Sequence, residues 1–133
     1  MSLFPEVEDA LPEIFQALSP VSVTIKDKYE VRLETPRCKI DIHFERYEGT
    51  VSSVMLFPAA SPNRVFHFLT LMILRNPSYS RPRQWLPGTL TPQERQHSQL
   101  QQVAMNLALY CSDLLQGETK KADEEDYEAL DKY

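Results

Sequence analysis

The chain has 133 residues, 42% of them hydrophobic and 25% charged, a composition that excludes wholesale disorder and suits one globular domain over 1–133. Its net charge of −5 argues against bulk attraction to nucleic acid. Most of that charge sits in residues 118–133, where seven acids face three lysines, so the body is nearly neutral and this acidic segment reads as a tail or short helix.

The first six residues lack a basic stretch followed by an apolar run, and Val65 to Leu74 is far short of a membrane span, so the expected setting is cytoplasmic. Cys38 and Cys111 show no metal-type spacing and are expected as reduced core thiols.

In chain order, an amphipathic helix is expected over about residues 5–18, with Phe4, Val7, Leu11, Ile14, Phe15 and Leu18 on one stripe. Pro12 interrupts it and predicts a kink or a later start, and Ser19-Pro20 ends it. Over residues 21–58 the period changes to two, the pattern of antiparallel strands with one wet face. A hairpin looping at Pro36-Arg37 would set Glu34 opposite Lys39, Arg32 opposite Asp41 and Glu30 opposite His43. The same register pairs Leu33 with Ile40 and Val31 with Ile42 on the other face. Val51 to Phe57 gives a fourth strand after a turn at Glu48-Gly49.

Helices follow. Ser61 and Pro62 read as the start of one that Asn76-Pro77 stops. Thr91-Pro92-Gln93-Glu94 is a capping box opening another, with Leu100, Val103, Leu107, Tyr110 and Leu114 as its core stripe and Gly117 closing it. A short last helix is expected over about 122–131. The fold class is therefore α+β: a four-stranded antiparallel meander with an N-terminal helix and two to three C-terminal helices packed mainly on one face. Val31, Leu33, Ile40, Ile42, Phe44, Leu69, Met72, Val103 and Leu107 are expected in the core.

The three glycines all have turn or helix-end positions, which leaves none for a phosphate-cradling loop, and neither a nucleophile elbow nor a zinc-protease motif occurs. Asp41, His43 and Glu45 share one strand face and suit proton transfer, although alternating charge is also what a solvated sheet face requires. His67 lies in a stretch that is apolar nearly all round. A helix of that kind is either centrally buried or lends a side to a homodimer, with Phe66, Phe68 and Met72 as the expected dimer contact. Tyr79, Arg81, Arg83 and Trp85 gather guanidinium and aromatic surface on a proline-stiffened loop, the residue types that dominate interface hot spots.

The order of elements resembles a group of small bacterial proteins. The carriers are Tyr29 to Glu34, Lys39 to Arg46 and the leucine-rich stretch from Leu109 to Glu118. These are the immunity-like or uncharacterised α+β proteins associated with polymorphic toxins. The resemblance implies a non-catalytic binder that masks a protein partner, without catalytic residue, metal or cofactor. A basic toxin would suit the acidic tail. The alternatives are a secretion-chaperone-like dimer and a small enzyme working from the Asp41/His43/Glu45 face.

Overall fold

The computed structural model describes residues 3–46, 49–61, 63–76, 78–79 and 90–125. It is an α+β fold in which one antiparallel sheet of five strands, in sequential order, is backed by helices from both ends of the chain.

Helix α1 spans Pro5–Ile14. Pro5 occupies the first turn, where its missing N–H costs nothing, and Glu6 and Glu8 lie where the helix dipole favours negative charge. Pro12 neither delays the start nor stops the helix at once. The chain continues to Ile14 and then tightens into a 3-10 turn over Gln16–Leu18. Val7, Leu11, Phe15 and Leu18 are buried as their spacing predicts, while Phe4 and Ile14 are half-buried.

The strands are β1 (Ser22–Asp27), β2 (Glu30–Thr35), β3 (Cys38–Phe44), β4 (Val51–Pro58) and β5 (Phe66–His67). The β2–β3 register is the one that charge pairing predicts. Glu34 faces Lys39, Arg32 faces Asp41, Glu30 faces His43, and the pairs Leu33–Ile40 and Val31–Ile42 are fully buried on the opposite face. Pro36-Arg37 is indeed the whole loop. An unfavoured turn sequence survives there because two other segments hold it. Thr35 Oγ1 donates to Leu115 O at 3.1 Å, Ala59 N donates to Arg37 O at 2.8 Å, and Gly117 lies against Arg37.

The fifth strand corrects the expected count of four. Arg64 N donates back to Ser61 O at 3.0 Å, Phe66 and His67 then pair with Leu56 and Met55, and helix α2 (Phe68–Arg75) begins only after them. The expected start at Ser61-Pro62 fails for a tertiary reason: the free edge of β4 takes up backbone hydrogen bonds that no local propensity registers. Ser61 instead shares a side-chain hydrogen bond with Thr119 at 3.3 Å.

Helix α3 (Pro92–Tyr110) opens with the capping box. Thr91 Oγ1 accepts from Glu94 N and Glu94 Oε1 accepts from Thr91 N, each at 3.1 Å. These bonds to Thr91 hold the exposed Glu94 carboxyl below its ordinary range. The helix does not run through to Gly117. It breaks at Cys111, and α4 (Ser112–Leu115) and α5 (Lys120–Glu124) follow. The expected last helix thus begins near Lys120, and residues 126–131 of it lie outside the described residues.

Leu100, Val103 and Leu107 of α3, with Leu114 of α4, join the inner sheet face in one core; Tyr110 is half-buried. Beside that stripe α3 buries Gln96, Gln99 and Asn106. Each amide binds a group on another segment of the chain. Gln96 accepts from Phe4 N at 3.0 Å and donates to Gly49 O at 2.5 Å. Gln99 accepts from Val51 N at 2.9 Å, and Asn106 accepts from Asn76 Nδ2 at 2.9 Å. The helix thereby fixes the start of α1, the β3–β4 connection and the end of α2.

At the other end of α3 a guanidinium does similar work. The Arg75 side chain is 4% exposed. Its NH1 donates to Tyr110 O at 2.8 Å, NH1 and NH2 bind the two Asp113 oxygens at 2.9 and 3.1 Å, and Nε donates to Glu125 Oε1 at 3.1 Å.

Two stability outcomes follow from these contacts. Gly117 has φ +84, and a Cβ there would lie 3.1 Å from Arg37 Cβ and 3.2 Å from Arg37 O. Gly117→Ala is therefore expected to lower the free energy of unfolding by about 1–3 kcal/mol in urea titrations; an unchanged midpoint would contradict this packing. Arg75→Met strips the partner from Asp113 and Glu125 and is expected to cost about 3 kcal/mol. The same titration should show the double variant Arg75→Met/Asp113→Leu recovering part of that loss, since the half-buried carboxylate is then gone.

Candidate functional site

The sheet's two faces have different chemistry. On the outer face Arg32 and Asp41 form a two-point pair, Nε to Oδ1 at 2.6 Å and NH2 to Oδ2 at 2.8 Å, with Asp41 only 5% exposed. The hydrogen bonds from Arg32, outweighing the cost of burial, hold the Asp41 carboxyl below its ordinary range. Arg32 is raised correspondingly, chiefly by the same bonds. His43 Nε2 lies 3.2 Å from Glu30 Oε1 across the ladder, without hydrogen-bond alignment. Glu45 falls just past the end of β3, where its backbone N donates to Thr50 O. Both Asp41 oxygens bind Arg32, and His43 faces the Glu30 carboxylate.

Cys38 and Cys111 are buried and unbonded to each other, and burial pushes each thiol up to about 12. Among the described residues no cluster of His, Cys, Asp and Glu could hold a metal ion, and no helix is long and apolar enough to cross a membrane.

A cleft of ≈ 200 Å³ opens on the helical side, between β4, α2 and α3. Buried Val54, Phe68 and Val103 supply its apolar lining, and exposed Ser52 and Leu69 with half-buried Tyr79 stand nearer water. The Tyr79 ring meets Phe68 edge-on at 6.1 Å. Gln99 and Asn106 border the cleft with their carbonyl oxygens already engaged by Val51 N and Asn76 Nδ2. The space is therefore an apolar socket with polar edges. An engineered apolar cavity of about 150 Å³ accommodates benzene, so this one matches a single large side chain.

Of the residues expected to bind a partner, Tyr79 borders this cleft; Arg81, Arg83 and Trp85 lie outside the described residues. Of the two expectations for the stretch from Val65 to Leu74, central burial is the one that describes Phe66, Phe68 and Met72. They are 1%, 5% and 0% exposed, so they close the core, with Phe68 also forming part of the cleft wall. Leu69, expected inside, is 36% exposed. Phe68, Leu71 and Met72 turn inward, which carries Leu69 and Ile73 outward.

Charges that looked available for steering are partly committed. Asp123 pairs with Arg64, which also lies 4.7 Å over the Phe66 ring, and Glu125 binds Arg75. The remainder of the acidic segment, from Asp126 to Tyr133, lies outside the described residues.

No protein family model, curated protein or solved structure matches the chain.

The Arg32–Asp41 pair sets a pH dependence. Because Asp41 is depressed in the folded protein, its contribution is full above the unfolded carboxyl value near 3.8 and is lost as pH falls through the lower folded value. Stability measured by urea titration should therefore drop below about pH 4. Asp41→Asn should lower stability at neutral pH and flatten that acid limb; an acid limb as steep as wild type would remove Asp41 as its source.

Proposed function

We propose that this chain is a non-catalytic protein-binding module that masks a partner by taking an apolar side chain of that partner into the cleft beside Tyr79. The observation that carries the proposal is the cleft itself. It is open, apolar-walled and sized for one side chain, and the buried amides at its edge are tied to Val51 N and to the Asn76 side chain. A preformed socket spares the ordering cost that a collapsing one would incur on docking. Tyr79 adds a rigid aromatic edge, a residue type frequent in interface hot spots.

The residues suited to chemistry support the same reading from the opposite direction. Asp41 is held by Arg32, and the thiols are shielded and protonated. Immunity-like masking, as the sequence resemblance implies, needs an occluding surface and no turnover. A cytoplasmic setting, a bacterial source and a basic toxin as partner belong to the same proposal.

The test begins with the protein captured from the native host and titrated calorimetrically against variants of this chain. Tyr79→Ala and Leu69→Arg should each weaken binding more than tenfold, or about 1.4 kcal/mol, with thermal midpoints near wild type. Arg32→Gln on the outer sheet face should bind as wild type does. If both cleft variants bind normally while Arg32→Gln does not, the binding face is the sheet and the cleft assignment is wrong.

A further inference from the structure

One polar group at the cleft has no counterpart in the protein. Gln99 is 2% exposed and borders the cleft, as does Val51, whose backbone N–H its Oε1 accepts at 2.9 Å. A backbone N–H only donates, so the oxygen of the amide must face Val51 and the nitrogen must point away from it. Among the described residues no group accepts from that Nε2. The second buried amide at the cleft, Asn106, is different. Its oxygen accepts from Asn76 Nδ2 and its nitrogen donates to Gln102 O, each at 2.9 Å. Whatever fills the cleft therefore decides whether the Gln99 donor is paired. A wholly apolar occupant would bar water from it and leave a buried donor unsatisfied, which is the expensive half of hydrogen-bond energetics.

The occupant must therefore bring an acceptor, and the surroundings limit which. No described lining residue carries a charge, so a carboxylate would lose its hydration without a counterion. An indole offers only a donor. A serine or threonine hydroxyl would leave most of the ≈ 200 Å³ empty. A phenol meets both demands. Benzene is accommodated by an engineered cavity of about 150 Å³, so ≈ 200 Å³ holds a ring with one further polar atom. The ring suits a wall that includes Phe68 and Tyr79, which already meet edge-on. Its oxygen has lone pairs for Gln99 Nε2. Its own proton has the side-chain oxygen of Gln102, which is half-buried at the same cleft and has no side-chain partner among the described residues.

We infer that the cleft selects tyrosine: the partner's inserted side chain lays its ring against Phe68 and Tyr79 and sets its hydroxyl oxygen on Gln99 Nε2. This rests on the cleft as a side-chain socket and names the side chain. Gln99 is then the residue that sets specificity, because a phenylalanine in the same place strands its donor while a tyrosine satisfies it.

A substitution at Gln99 would also strip the acceptor from Val51 N, so the decisive comparison changes the ligand and keeps the wild-type chain. Nitrogen-15 NMR titration of the full chain with N-acetyltyrosinamide and N-acetylphenylalaninamide compares two ligands that differ by one hydroxyl. The tyrosine amide should bind about fivefold more tightly or better, although the phenylalanine amide is the more hydrophobic of the two. The Gln99 side-chain NH2 resonances should move with the tyrosine amide and stay fixed with the phenylalanine amide. Equal affinities, a Gln99 amide that stays fixed, or no binding of either ligand at millimolar concentration overturns the inference. Binding of p-cresol at Gln99 without binding of the tyrosine amide overturns it too, since the site then takes small free phenols. The masking reading fails separately: Tyr79→Ala and Leu69→Arg that bind the captured partner normally overturn it whatever the two amides do.

Discussion

The Arg75 guanidinium is the contact on which the helical half of the molecule depends. It reaches from the last turn of α2 to the final carbonyl of α3 and the carboxylates of α4 and α5. A helix ending at Tyr110 leaves carbonyl groups without intrahelical partners, and a cation is the best available one. Burying that cation is tolerable only because its donors meet oxygens, two of them in a bidentate carboxylate pair. The break at Cys111 is thus part of the same arrangement. A helix running straight on would carry Asp113 around its axis and withhold Tyr110 O, and Arg75 would then be a buried charge without its counterions. The chain's uneven charge has an explanation here as well. Arginines in the middle of the sequence and acids near residue 120 look like separate patches along the chain, yet Arg64 meets Asp123 and Arg75 meets Glu125 in space.

Where local pattern and tertiary demand agreed, the sequence was legible. The β2–β3 hairpin is the clearest case, because one register satisfies opposite charges on one face and apolar pairs on the other, and slipping by a residue would exchange the faces. The capping box at Thr91 was equally legible, since its chemistry is contained within four residues. What escaped was what depends on a distant segment. β5 exists because β4 offers an edge, and two residues of strand carry no periodic signal. The glutamines of α3 look like solvent-facing residues in any local window. Only the placement of Phe4 N, Gly49 O and Val51 N against them shows why Gln96 and Gln99 are buried.

The candidate site was legible to a smaller degree. Tyr79 stood out by residue type and proline context, and it does border the cleft. The cleft itself was not readable, because its lining comes from β4, α2 and α3, segments with no shared motif. The apolar excess of Val65 to Leu74 was legible, but not which of its side chains stay outside the core. A stretch that is hydrophobic all round carries no phase information, so it cannot say which side chains face inward. The core takes Phe66, Phe68, Leu71 and Met72, and the surplus appears on Leu69 and Ile73.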